Sequence, residues 1–370
     1  MYMQDKFKFT IQDSTPRLAT NKHWQWCVGS GQAKLALRAD YGKQLKMIHD
    51  TLGIQRVRFH GIFDDSMQTY MGLDDFMPMP GSKKFTNYNF HNIGIVYDNV
   101  LAAGMQPWVE LSFMPSRLAK KDKKVTVNAE GRASMPRDDS EWRDFIQAFI
   151  SYLLHRYGKD EVETWYFEVW NEPNMSTFFS GSKEDYFHLY QITAEAIKDV
   201  DANLMVGGPA TATGAWISDF IAFCEEGHVP LDFIVTHNYP GDGIGDVFLG
   251  KIMFDAIVGG MKRLQQIGGG RVLDGCQAIM EDKSEKSEMP KGQMYEHCRM
   301  VSNQVAGKYP LFYSEWNCNA ILTSPSNDTR KVACFQVKSI SEMEKFVTGS
   351  YLFYKVMIHL VLVIFLMNLC

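Results

Sequence analysis

The sequence predicts a parallel α/β fold, a closed (β/α)8 barrel, and three observations carry that prediction. Short apolar runs rich in β-forming residues repeatedly precede amphipathic segments, the rhythm of βα units. Polar and aromatic residues gather at the ends of those runs, where a barrel builds its loops. The fingerprint of the competing doubly wound sheet is incomplete. Gly29-Ser30-Gly31 follows the first run, but there is no third glycine and no acidic residue ending the second run.

Taken in order, strands are expected over Trp24–Val28, Arg56–His60, Gln106–Leu111, Thr164–Trp170, Leu204–Gly207, Phe233–His237 and Leu311–Trp316. The helix expected over Glu141–His155 has the clearest pattern: Trp142, Phe145, Ile146, Phe149 and Leu153 share one face. Similar patterns cover Lys34–Leu52, Ser182–Val200 and Ala215–Glu226. The charged runs Lys120–Lys124 and Glu281–Glu288 read as solvated loops.

Composition narrows the class. The chain has 370 residues, 45% of them apolar, which is enough for one large domain with a substantial core. Lys plus Arg number 38 against 43 Asp plus Glu, so charge gives no reason to expect nucleic acid or an anionic membrane as partner. A neutral substrate fits this balance, and the oligomeric state is left open. Seven cysteines are scattered without a CxxC pair or a zinc-site spacing, and they read as free thiols in a reducing, cytoplasmic compartment. The segment Met1–Pro16 shows no secretory signal.

Candidate chemistry sits at the run ends. They are His60 with Asp64 and Asp65; Trp170-Asn171-Glu172-Pro173-Asn174; His237-Asn238-Tyr239; and Ser314-Glu315-Trp316-Asn317. Cleaving a glycosidic bond needs one group to protonate a poor leaving group and another to stabilise the anomeric centre. Two carboxyls about 5–5.5 Å apart do both through a covalent intermediate. The fourth and seventh strands lie on opposing parts of a barrel mouth, so Glu172 and Glu315 can meet across a sugar. An ionised Glu315 would keep Glu172 protonated by like-charge repulsion.

Each residue also has a plainer reading. Glu172 before a proline can simply begin a loop, and Glu315 alone is structural as readily as catalytic. Glu168, four residues before Glu172, shares its face of the strand and reads equally as a buried, paired carboxyl. His60 and His237 can be satisfied rim residues, although Tyr239 offers a phenol to orient a carboxylate. Trp108 and Phe113 can stack on a sugar, with core packing the default. The carboxyl pair is stronger than either member.

These residues resemble a known family. Trp170-Asn171-Glu172-Pro173 and Ser314-Glu315-Trp316-Asn317 match the acid/base and nucleophile motifs of the retaining barrel glycosidases. The resemblance is closer to the family 39 glycoside hydrolases, bacterial β-xylosidases especially. Cys27-Val28-Gly29-Ser30-Gly31, Arg58-Phe59-His60-Gly61, Phe113-Met114-Pro115, Gly207-Gly208-Pro209-Ala210 and His237-Asn238-Tyr239 also match them. The resemblance runs from about residue 20 to about residue 345. It implies a TIM barrel with Glu172 as acid/base and Glu315 as nucleophile. Asn171 would bind the sugar 2-hydroxyl, while His60, His237 and Tyr239 would line the subsite of the non-reducing sugar. The implied substrate is a β-linked xyloside or related pyranoside, with neither a metal nor an organic cofactor.

The C-terminal stretch departs from the family. Members continue through a Trp-x-Phe-Ser-Asp-x-Phe-Glu-Glu segment into a β-sandwich, whereas Ser350–Cys370 is almost wholly apolar. The expected division is a catalytic barrel over 1–350 and an anomalous tail over 351–370. A disrupted eighth strand is expected, leaving two open sheet edges, poor solubility and reduced turnover. A membrane anchor and a genuine eighth strand with a docking extension are the competing readings of the tail. A sugar-binding pseudoenzyme and another β-glycosidase of the clan are the competing readings of function.

Overall fold

The computed structural model describes residues 20–82, 86–125, 130–239, 243–245, 247–248, 292–318 and 329–353. Eight parallel strands close into a barrel in sequence order: β1 (Cys27–Gln32), β2 (Arg56–His60), β3 (Gln106–Leu111), β4 (Tyr166–Val169), β5 (Met205–Thr211), β6 (Phe233–Asn238), β7 (Leu311–Trp316) and β8 (Gly349–Phe353). The helices outside them are α1 (Ala39–Leu52), α2 (His91–Ala102), α3 (Asp139–Tyr157), α4 (Lys183–Val200), α5 (Ile217–Gly227), α6 (Gln293–Val305) and α7 (Arg330–Met343). The expected α/β barrel is therefore the observed one.

Local chemistry explains the clearest helices. Asp138 caps α3 by accepting from the backbone N–H groups of Ser140 and Glu141 at 2.8 and 3.2 Å, which satisfies donors the first turn cannot. Its apolar stripe packs inward, with Phe63 edge-on to Phe145 and Phe149 at 4.9 and 5.0 Å. Ser182 and Asp185 form a reciprocal capping box on α4.

Closure corrects one expectation. The eighth strand pairs in parallel with β1 (Cys27 opposite Tyr351) and with β7 (Phe312 opposite Gly349), so the two open edges expected of a disrupted strand do not occur. Gly349 permits this approach: a Cβ there would lie 2.6 Å from the Trp26 ring and 2.9 Å from Phe312. Tyr351 is fully buried inside the barrel. This strand runs across the expected boundary at 350, and the remainder of the tail, 354–370, lies outside the described residues. So does Glu281–Glu288, whereas Lys120–Lys124 is exposed as expected.

Four other strands depart from the expected bounds, the first and fifth the most, while the fourth is shorter (Tyr166–Val169) and the sixth runs one residue longer. The first begins three residues later than predicted, because His23–Gln25 forms a 3-10 turn and Trp26 lies beneath the barrel against Arg56. The fifth extends to Thr211 through Gly207, where a Cβ would meet the Phe233 carbonyl at 2.4 Å. That glycine marks a close strand contact, not the end of the strand.

Candidate active site

Strand alternation aims Arg58 and His60 of β2, Glu110 of β3 and Glu168 of β4 into the barrel, with Glu110 and Glu168 in register across β3 and β4. In β7 the pairing with β6 shifts between Tyr313 and Glu315. An irregularity of this kind lets consecutive residues face one side. Ser314 and Glu315 accordingly both reach interior partners.

Arg58 is the hub. Its guanidinium, 1% exposed, donates to Glu168 at 2.7 and 3.2 Å, to Glu315 at 2.9 Å and to the Asn171 carbonyl at 3.0 Å, and lies 2.6 Å from Glu110. Such sharing is the condition under which buried charge is tolerated. Glu168, at 0% exposure, accepts further from Trp108 Nε1 at 2.6 Å and from Ser314 Oγ at 3.2 Å. Of its two sequence readings, the buried, paired carboxyl is the one observed.

Glu172 and Glu315 converge as expected. One oxygen of each and a ring nitrogen of His237 all lie within 4.8 Å of one another. His237 Nδ1 sits 3.0 Å from Glu172 Oε1 and Nε2 sits 2.9 Å from Ser314 Oγ, so both ring nitrogens are engaged within the protein. Tyr239 donates its hydroxyl to Glu315 Oε2 at 2.8 Å. His60 bridges Glu110 (2.8 Å) and Glu315 (3.2 Å). Asn171 is fixed by its carbonyl on Arg58, which turns its NH2 group away from the guanidinium.

The electrostatics follow from these contacts. Burial alone would push the Glu315 carboxyl up, but His237, His60 and Arg58 around it win and hold it well below the usual carboxylate range. Burial likewise opposes charge on His60, yet Glu110 and Glu315 raise it to about 10, so it is a cation at neutral pH. Glu110 follows Glu315: burial opposes its ionised form, and Arg58 and His60 overcome that.

The strand-four turn is built with backbone strain. Trp170 and Glu172 adopt φ of 74° and 43°, a region costly for residues with a side chain. Three hydrogen bonds hold it: Glu172 N–H to the Ala210 carbonyl at 2.9 Å, Ala212 N–H to Asn174 Oδ1 at 2.9 Å, and Asn174 Nδ2 to the Ala212 carbonyl at 3.1 Å. Asn174 thereby clamps the turn that carries Glu172 to the end of β5.

Sequence reasoning missed Glu110 and the bridging role of Ser314. A lone carboxyl inside the buried run Pro107-Trp108-Val109-Glu110-Leu111 was the available signal for the first. Nothing marked the second, because the irregularity in β7 is invisible without its pairing partner. Trp108 lies in the core, stacked 4.8 Å from Tyr166, and Phe113 packs on Trp170, so neither is a free sugar platform.

Comparison with known proteins points the same way. The family model for Glycosyl hydrolases family 39 matches residues 7–267. The chain is 37% identical to a β-xylosidase of Caldicellulosiruptor saccharolyticus, covering 93% of the chain and 62% of that protein. It is 41% identical to a β-xylosidase of Geobacillus stearothermophilus, covering 61% of the chain and 44% of that protein. A solved GH39 β-xylosidase from Caulobacter crescentus superposes with a TM-score of 0.71 at 28% identity, over 91% of this chain and 64% of that one. The chain thus spans less than two thirds of the length of each of these relatives.

Proposed function

The chain belongs to family 39 of the glycosyl hydrolases, and from that premise we propose that it hydrolyses β-linked xylosides with retention of configuration. The observation that carries this reading is the meeting of Glu172 and Glu315, within 4.8 Å oxygen to oxygen, at two opposed strand ends. That spacing suits double displacement and leaves no room for a water between the carboxyls.

In the first step Glu315 bonds to the anomeric carbon while the bond to the leaving oxygen breaks and the proton of Glu172 passes to that oxygen. In the second, water attacks the anomeric carbon, its proton passes to Glu172, and the ester to Glu315 breaks. Glu315 suits the nucleophile because it is ionised and oriented by Arg58, His60 and Tyr239. Asn171, locked by Arg58, has its NH2 group available for the sugar 2-hydroxyl. A neutral pyranose is favoured over a uronide, since Arg58 and His60 are both committed to carboxylates of the protein. Neither a metal nor an organic cofactor is part of this mechanism.

A pseudoenzyme that only binds sugar is not favoured by this assembled pair. A cytoplasmic setting belongs to the same proposal, supported by the free thiols of Cys27, Cys224, Cys298, Cys318 and Cys334. Among the described residues no helix is long and apolar enough to cross a membrane.

The test is hydrolysis of an aryl β-xyloside followed by NMR of the first-formed sugar. The β-anomer is expected from the native chain, with a loss of about 10⁴-fold or more in kcat for Glu315→Ala. Initial release of the α-anomer, or unchanged rates in the variant, would overturn the proposal.

A further inference from the structure

Three wholly buried groups behind the acid/base form a chain: Glu168, Ser314 and His237, all at 0% exposure. Their protons can be counted. Glu168 accepts from Arg58 twice and from Trp108, so it is an ionised acceptor with no proton to give. Ser314 Oγ lies 3.2 Å from Glu168 Oε1 and 2.9 Å from His237 Nε2, and a serine hydroxyl carries one hydrogen. Directed at the carboxylate, that hydrogen makes a charge-assisted bond; directed at the ring, it leaves two oxygens facing each other lone pair to lone pair. The hydroxyl therefore donates to Glu168, and its oxygen must accept from His237 Nε2–H.

The consequence appears at the other ring nitrogen. In a neutral imidazole with hydrogen on Nε2, Nδ1 is bare, and it lies 3.0 Å from Glu172 Oε1. A bare nitrogen at that distance needs a hydrogen on the carboxyl. We propose that Ser314, anchored on Glu168, fixes the tautomer of His237 so that Nδ1 accepts from Glu172 and keeps the acid/base in its protonated, leaving-group-ready form. His237 and Ser314 are positioning residues in this scheme, since neither needs to touch the substrate. The inference rests on the reading of Glu172 as acid/base.

Other charges facing His237 are compatible with this lock. Glu315 Oε1 is 3.9 Å from Nδ1, farther than Glu172, and its nearer partners are Arg58, His60 and Tyr239. Glu110 is held by Arg58 and His60 and makes no contact with the ring among the described residues. Should the ring gain a second proton, Nε2 still donates to Ser314 but Nδ1–H donates to Glu172, so the lock on the acid belongs to the neutral ring, and it is the cationic ring that depresses Glu315.

Removing the hydroxyl frees the ring to carry its hydrogen on Nδ1, which favours the Glu172 carboxylate and leaves less of the acid protonated for the leaving group. The test is kcat/KM of Ser314→Ala against aryl β-xylosides of graded leaving groups. A loss of about 10- to 100-fold is expected with a phenyl leaving group, which needs protonation, and less than about threefold with 2,4-dinitrophenyl, which does not. The alkaline limb of the pH profile should move to lower pH, and Ser314→Thr should restore both. An equal loss for every leaving group with an unmoved profile marks a merely structural role and overturns the proposal, as does no loss. If the variant does not fold, ¹⁵N NMR of His237 in the native chain decides. Hydrogen on Nε2 with a bare Nδ1 supports the lock, and hydrogen on Nδ1, alone or in a doubly protonated ring, overturns it. That signal does not depend on turnover, so a failure of the xylosidase reading and a failure of the tautomer lock are separately visible.

Discussion

The two ends of the barrel interior use the same strands for opposite purposes. At the lower end Trp108, Tyr166, Phe233, Phe312 and Tyr351 pack ring on ring, with Trp108 4.7 Å from Tyr351 and 5.1 Å from Phe312. Two residues further along β3, β4 and β7 the inward side chains become Glu110, Glu168 and Ser314, joined by Arg58 of β2, which follows Arg56 in place of a ring. One period of the strand separates an aromatic plug from a buried ionic network. The plug is held by contact area, which tolerates changes of shape at modest cost. The network is held by proton and charge matching, where loss of one partner strands another.

Variants at the two ends sharpen this contrast. The largest effect is expected for Arg58→Met, which leaves Glu168 buried without a cation and Glu110 with His60 alone. Stability should fall by about 3–5 kcal/mol in chemical denaturation, with activity lost in whatever remains folded. Retention of both would mean that the network is not what organises the upper end.

A paired change of one hydroxyl comes next. Tyr239 donates to Glu315, so Tyr239→Phe should lower kcat/KM by about 10- to 100-fold, the worth of about 1.5–3 kcal/mol for a hydrogen bond to a charged group. The Tyr351 hydroxyl is buried in the plug with no partner among the described residues, so Tyr351→Phe should leave kcat/KM unchanged and stability equal or higher. Equal effects from the two changes would erase the distinction between the ends.

The smallest effect concerns Asp64, which ties the loop after β2 to the backbone N–H groups of Phe113 and Glu130 at 3.4 and 3.3 Å. Burial, reinforced by Glu110 and Asp65, raises its carboxyl to about 7 against those two donors. The folded chain thus keeps a proton that the unfolded chain releases near pH 4, and the stability tied to that proton is lost as pH rises through about 7. Asp64→Asn should remove this loss, gaining about 1–2 kcal/mol relative to the native chain between pH 6 and pH 8 in urea titrations. A constant difference across that range would contradict it.

How much of this was legible depends on whether a residue's role is local. The bounds of β3 and β7 coincide with largely apolar runs because both faces of those strands are buried, so composition marks them, whereas β2 is marked by Val57 and Phe59 alternating with Arg56, Arg58 and His60. Glu172 and Glu315 stood out as carboxyls at the rims of such runs. Arg58 could be read as a strand residue but not as the hub, since its four partners come from three other strands and a loop. The eighth strand was misjudged because Ser350–Phe353 resembles no family segment. Closure asks only for a short apolar strand with a glycine where Trp26 and Phe312 crowd it.

The most direct test of the two facing carboxyls is azide rescue of Glu172→Ala on an activated aryl β-xyloside. With the acid/base gone, the glycosyl ester on Glu315 should form from the good leaving group and then persist. Azide, small enough for the vacated space, should restore turnover and yield the β-xylosyl azide. An α-azide, or no rescue in a folded variant that still forms the ester, would contradict the placement of Glu172 and Glu315 on opposite sides of one anomeric carbon.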